Sequence, residues 1–424
     1  MRDDPAPPPA PLPVPPPTSV LRRLTGFTVL PMLSLVTPFL LMPVIARIAG
    51  GPGWARIVAG QAVGTIGATV LLWGWNVVGP VQVARAPDAA ARAQVYAVSL
   101  RTRLTLLVVV APAVALVSLA VAAPGFGGTA AAMGVATALL GLTPSWFAIG
   151  LGKPMLLLWY DTVPRFLAAV AATPLVLVSR QIWPYPLLLG LSVVGSLAAF
   201  HRRVASGARL PWSPWPLTRS VRDLRGQLGT AGINLSATAY ASTPVPIVTR
   251  AVPQETSSRF ASADTLYRLG LFTVAAMGNA FQGWTLEPGT DSRRRHGVAG
   301  VAHLGLGAVG GLGLAGLGPW TTALLFGDAV AAPREVCALY GLSFFFISAS
   351  SPLIRNVLIP AGRDRLVLAW TALSAALGLA VMAAAALAGS AAGVALGMAV
   401  SEAVLCLGLL RPAVRLVPPR AAPV

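Results

Sequence analysis

Apolar residues in this chain neither alternate with period two nor form a single helical stripe; they fill runs of about twenty. That is the length an α-helix needs to cross about 30 Å of hydrocarbon. Twelve such runs are predicted as spanning helices: 27–47, 56–80, 104–123, 129–150, 162–179, 182–200, 229–249, 264–286, 298–318, 336–359, 366–388 and 391–410. Run eight differs from the others in holding Asp264, Arg268 and Asn279, and run nine is nearly all glycine and small residues. Such a composition lets helices approach closely in lipid. Overall, 55% of the 424 residues are hydrophobic, 10% are charged and mean hydropathy is +0.73. A soluble fold could not cover that much apolar surface, so the class is a polytopic membrane protein.

Charge sets the topology. The net charge is +18, and Lys153 is the one lysine among 31 basic residues. A pI of 11.6 would suit nucleic acid. The charges, however, flank the apolar runs, where they orient helices, and no nucleic-acid partner is expected. With the N-terminus in the cytoplasm, alternating connections place 23 of the 31 basic residues inside. Six fall outside: Arg47, Arg56, Arg180, Arg250, Arg259 and Arg334. Arg268 and Arg355 lie within spans. This predicts a multi-pass plasma-membrane protein with both termini cytoplasmic. The longest inner connection, 201–228, separates a six-helix bundle at 25–200 from another at 229–412. Residues 1–24, with nine prolines between positions 5 and 17, read as a disordered cytoplasmic tail, and 413–424 as a second tail. Cys337 and Cys406 sit in apolar runs, and His201, His296 and His303 have no ligand spacing. Neither a disulfide framework, a metal nor a cofactor is expected.

The two bundles echo each other. Pro43-Val44-Ile45-Ala46-Arg47 returns 203 positions later as Pro246-Ile247-Val248-Thr249-Arg250, and the register continues through Arg56/Arg259, Ala59/Ser262 and Gln61/Asp264. Gly152-Lys153 is likewise matched by Gly362-Arg363. Six spans per half make the repeats run in the same direction. The fold class expected is therefore all-α, with twelve transmembrane helices in two bundles related by a pseudo-two-fold axis along the membrane normal and a cavity between them.

Pro43-Val44-Ile45-Ala46-Arg47-Ile48-Ala49-Gly50, followed by Gly60-Gln61-Ala62-Val63-Gly64, resembles the opening of the polysaccharide-biosynthesis flippases. These are O-antigen and capsule oligosaccharide–lipid exporters of the multidrug/oligosaccharidyl-lipid/polysaccharide (MOP) superfamily. Thr143-Pro144-Ser145-Trp146-Phe147-Ala148-Ile149-Gly150 is similar to their fourth helix, Ala261-Ser262-Ala263-Asp264-Thr265-Leu266-Tyr267-Arg268 to the start of their eighth, and Leu325-Phe326-Gly327 to their fifth outer loop. The resemblance covers about 24–411. It implies a lipid-linked oligosaccharide substrate, with a polysaccharide polymerase and glycosyltransferases as further partners. Run eight lacks the mid-helix proline of that family, and the proline-rich tail is not a family feature.

Candidate site residues follow from charge placement. Arg47, Arg56, Arg250 and Arg259 bracket the first turn of each half. Either they snorkel to interfacial water or they line the cavity as pyrophosphate ligands, for which a planar, permanently ionised fork is suited. Arg268, one turn into run eight, has Asp264 four residues earlier on the same face. A charge at that depth needs a partner or a water-filled cavity. Trp146 either stacks on sugar or anchors at the interface. Glu402, alone in the last span, and Asp161, four residues before Arg165, are the candidate coupling groups, each with a packing reading beside it. The prolines at 31, 38 and 43, and at 244 and 246, are expected to break the first helix of each half.

The leading expectation is a flippase moving an undecaprenyl-pyrophosphate-linked oligosaccharide between leaflets. The alternative is a cation-coupled multidrug exporter of the same superfamily. A glycan polymerase or glycosyltransferase is less well supported, because the longest outer connection, about 251–263, is too short to hold catalytic groups.

Overall fold

A computed structural model describes residues 17–122, 127–207, 217–286 and 292–416. The described residues are helical, with short connections and no strand. The elements are α1 (Pro17–Leu72), α2 (Trp75–Arg85), α3 (Ala89–Val121), α4 (Gly127–Leu139), α5 (Ser145–Gly150), α6 (Pro154–Leu157), α7 (Val163–Ser179) and α8 (Pro184–Gly207). After them come α9 (Leu217–Gly226), α10 (Leu228–Ser242), α11 (Pro244–Ala251), α12 (Gln254–Leu286), α13 (Ser292–Phe326), α14 (Arg334–Pro352), α15 (Asp364–Leu387) and α16 (Ala391–Leu416). Nine helices among the described residues are long and apolar enough to cross a membrane. Three further passes complete twelve. They are the first arm of α1, the broken pair α10–α11, and α12, whose Glu255, Arg259, Asp264 and Arg268 lower its hydropathy.

Boundaries differ from the sequence reading in instructive ways. Helix α1 begins at Pro17, inside the stretch read as a disordered tail; residues 1–16 lie outside those described. Its backbone passes through 31, 38 and 43 without a break, so the expected proline breaks are absent from this half. The departure comes at Gly50, with φ 61°, a left-handed value that glycine adopts without strain. In the second half the break is where prolines 244 and 246 predicted it: α10 ends at Ser242 and Pro244 opens α11. There the missing proline N–H falls where a helix start has none to satisfy. The 201–228 linker contains the end of α8 and all of α9.

The 203-residue echo has a spatial meaning. Gly50 and Val252–Pro253 make the corresponding turns, and the segments after them pack against one another across the two halves. Trp54 Nε1 donates to Ser262 Oγ at 2.9 Å, the Ser258 hydroxyl donates to the Gly51 carbonyl, and Trp54 lies against Phe326, ring centroids 5.2 Å apart. The largest buried apolar cluster joins both halves here, with Ile45, Trp54 and Ile57 from one and Val248, Phe260 and Val336 from the other.

Within each half, small residues set helix separation. A β-carbon on Gly60 would stand 2.3 Å from the Ala130 carbonyl oxygen, and one on Gly341 2.4 Å from that of Gly311. Gly60→Val is expected to destabilise the protein by about 1–3 kcal/mol, measured as detergent-phase thermal unfolding. Gly313→Ala, in open space, is expected to change nothing; equal behaviour of the two would contradict close α1–α4 packing.

Candidate functional site

The seam between halves has a closed end and a polar strip. At the Gly50 end, besides the Trp54 and Ser258 contacts, Arg47 is exposed and donates through Nη2 to the Leu324 carbonyl at 2.7 Å, at the end of α13. Arg56 is buried, 2% exposed, between Ala55 and Ile57 of the cluster that joins the halves. Arg250, its side chain exposed, lies in the last turn of α11. Arg259 is half-buried and pairs with Glu255 at 2.7 Å, one helical turn away. The four arginines lie around one junction but do not form one cluster. Arg47 and Arg56 stitch and fill it, while Arg250 and Arg259 stand towards its surface.

Away from that end, polar side chains occupy facing elements of the two halves. Asn234 Nδ2 on α10 donates to Asn76 Oδ1 on α2 at 3.2 Å, and Ser236 on α10 is exposed. Arg268 belongs to the same strip. Its Nη2 donates to the Ala241 carbonyl, one residue before α10 ends, where the proline break leaves helical acceptors unpaired. Its Nε donates to Asp264 Oδ2 at 2.5 Å, with a longer Nη2–Oδ1 bond of 3.3 Å. Tyr340 on α14 donates its hydroxyl to the same carboxylate at 2.9 Å. Asp264 is 1% exposed at its side chain whereas Arg268 is 34% exposed. The acid is enclosed in the bundle, while the arginine paired with it keeps about a third of its side chain exposed. The i, i+4 pairing expected from sequence is therefore present, and a tyrosine from another helix completes it.

Behind this pair, Tyr267 packs on Tyr340 with ring centroids 4.7 Å apart. Glu402 on α16 is half-buried. It forms no ion pair among the described residues. Asp161 instead bonds to Arg165 at 2.8 Å across the π-helical turn Leu158–Thr162, which ties up the second coupling candidate. No group of three His, Cys, Asp or Glu residues that could hold a metal occurs among the described residues.

Trp146 corrects one expectation. It is 2% exposed and enclosed by Trp75, Phe147 and the face of Gly79, where a β-carbon would come within 2.2 Å of the indole. No face is open to a sugar; the residue is core. Beside it lies a group that loop counting misplaced. Arg103, counted as an inner-loop charge, is 0% exposed in the middle of α3. Its Nη1 donates to the Gly141 and Thr143 carbonyls, both at 3.1 Å, its Nε to the Ser99 carbonyl at 3.3 Å, and the guanidinium lies 5.7 Å from the Trp146 ring. Gly141 and Thr143 sit where α4 gives way to α5, so Arg103 caps carbonyls that the helix break leaves without donors.

No family model and no curated protein matches the sequence. Solved structures do. One, the inward-facing conformation of a multidrug resistance MATE family transporter of the MOP superfamily, superposes with TM-score 0.57 at 17% identity, covering 91% of this chain and 98% of that one. A MATE in the bent conformation gives 0.54 at 14%, covering 93% and 96%. A eukaryotic MATE transporter gives 0.53 at 14%, covering 94% and 96%. At such identities the likeness speaks to architecture alone: this chain has the all-helical, twelve-helix, two-lobe MATE fold.

Proposed function

We propose that this protein is a transporter of the MOP type that moves an undecaprenyl-pyrophosphate-linked oligosaccharide from the cytoplasmic to the outer leaflet by alternating access. The two-lobe fold supports transport, and the excess of basic residues in the inner connections, 22 against 6 once the buried Arg103 is set aside, supports cytoplasmic termini. The observation that favours a phosphate-bearing cargo is the state of the Asp264–Arg268 pair. Asp264 has both Arg268 and Tyr340 as donors, so it offers no free negative charge, while the Arg268 side chain, whose Nη2 reaches the Ala241 carbonyl on α10, is one-third exposed. A permanently ionised fork of this kind can bind phosphate oxygens in pairs. Glycan hydroxyls would meet Asn76, Asn234 and Ser236, and the polyprenyl tail would stay in lipid.

Arg268→Ala in the native host is expected to reduce surface glycan at least tenfold and to accumulate the lipid-linked precursor inside. Immunoblotting must show normal amounts of the variant. Unchanged surface glycan would remove Arg268 from the transport path.

A second reading, export of organic cations, is favoured by Glu402, the carboxylate on α16 without an ion-pair partner among the described residues. If it is right, cells gain drug tolerance that depends on Glu402, and Arg268→Ala leaves this tolerance in place.

A further inference from the structure

A groove of about 580 Å³ lies at the end of the C-terminal half opposite the Gly50 turn, away from the polar strip. One wall is the start of α13, with Arg293, His296, Gly297 and Gly300, and the other is the end of α16, with Val414 and Arg415. Its floor is α14 where the helix widens into the π-helical turn Leu353–Leu358. Three observations bear on what fills it. First, Arg293 and Arg415 are both exposed, stand on opposite walls, and form no ion pair among the described residues. Second, apart from His296 and Asn356 the lining between them is apolar or bare. β-Carbons on Gly297 or Gly300 would meet nothing within 4 Å, and Leu353, Val357 and Val414 make up much of the rest. Third, Asn356 is only 2% exposed, yet neither its side-chain oxygen nor its nitrogen has a hydrogen-bond partner among the described residues. The π turn holds it in place, because His296 Nε2 donates to the Asn356 carbonyl at 3.1 Å.

We infer that this groove is a binding site for an anionic phospholipid. Two guanidinium groups bracket the headgroup phosphate, the Asn356 amide meets a polar atom of the headgroup or glycerol ester, and an acyl chain runs along the apolar floor between α13 and α16. Free phosphate would satisfy the arginines and leave the apolar floor uncovered. A zwitterionic lipid would cover the floor but bring a cation between the arginines. On the orientation proposed above, the groove lies at the cytoplasmic leaflet, where anionic headgroups attract juxtamembrane arginines by about 1 kcal/mol each. The site touches none of the residues assigned to cargo, so it stands whichever cargo is carried.

The test uses full-length protein in nanodiscs of phosphatidylcholine with increasing phosphatidylglycerol. Bound lipid is counted by native mass spectrometry, and thermal unfolding is followed in parallel. The wild type should retain phosphatidylglycerol in preference to phosphatidylcholine and unfold at higher temperature as its fraction rises. The Arg293→Gln/Arg415→Gln pair should bind it about thirtyfold more weakly, equivalent to about 2 kcal/mol. Asn356→Leu, which fills the polar position with an apolar side chain of similar size, should weaken retention while leaving unfolding in pure phosphatidylcholine within a few degrees of wild type. Equal retention of both lipids, or undiminished retention by the double-arginine variant, would overturn the proposal. So would full displacement of the lipid by millimolar inorganic phosphate, which would make this a simple anion site. Selective capture of a polyprenyl pyrophosphate over phosphatidylglycerol would overturn it too, by making the groove a cargo entrance.

Discussion

Replacing Asp264 with alanine is expected to destabilise the protein by about 3 kcal/mol, the low end of the range for breaking a buried ion pair from one side. The carboxylate is 1% exposed and takes hydrogen bonds from Arg268 and Tyr340. Without it, Tyr340 loses its acceptor in a 0% exposed position, and Arg268 keeps its charge with only the Ala241 carbonyl as an acceptor among the described residues. The one-third exposure of the guanidinium moderates the loss, because the freed charge retains some solvent. Asp264→Asn, which preserves an acceptor for Tyr340, should lie between wild type and Asp264→Ala. The double variant Asp264→Ala/Arg268→Ala should recover much of the stability and none of the transport. Thermal unfolding in detergent reads the first effect and surface glycan the second. A loss below 1 kcal/mol in Asp264→Ala would mean that the pair is not a structural unit.

Arg103→Leu is expected to remove a similar amount, about 3 kcal/mol, for a different reason. Arg103 has no carboxylate within ion-pair distance among the described residues; its bonds go to the carbonyls of Ser99, Gly141 and Thr143. Leucine would fill much of the space but leave the last two without donors in the core, each at about 1–3 kcal/mol. Arg103→Lys should fare little better, since a single ammonium cannot reproduce a fork that also lies over the Trp146 ring. Arg85→Ala, at an exposed position, is the control and should stay within about 0.5 kcal/mol of wild type. Arg103→Leu with wild-type stability would make the carbonyl capping irrelevant.

These two residues mark what could and could not be read from the chain. The Asp264–Arg268 pair was legible because spacing of four on a helix is a local relation. Tyr340 was not, because its contact spans 76 positions. Arg103 was misplaced by a boundary error: hydropathy started the third span at 104, whereas α3 starts at Ala89, capped by Asp88, whose Oδ1 accepts from the Ala91 N–H at 2.7 Å. That N-cap signal, Asp88 ahead of an alanine run, was present in the sequence and would have put Arg103 mid-helix. Trp146 was misassigned because its enclosure depends on Gly79, 67 positions away, a pairing no periodicity encodes. Prolines were read as breaks in both halves, yet only the pair at 244 and 246 stands at one. What hydropathy and the 203-residue echo did specify was the twelve-helix, two-lobe arrangement, since both are sums over many residues and tolerate local errors.

The central claim is that the polar strip between two lobes carries a phosphate-bearing lipid across the bilayer, and reconstitution tests it most directly. Purified protein in proteoliposomes, loaded on one leaflet with a fluorescent polyprenyl-pyrophosphate oligosaccharide, should speed the label's appearance in the other leaflet well above protein-free vesicles. Arg268→Ala should return the rate to that baseline. Transfer no faster than in empty vesicles, with the same preparation driving uptake of an organic cation, would contradict the account.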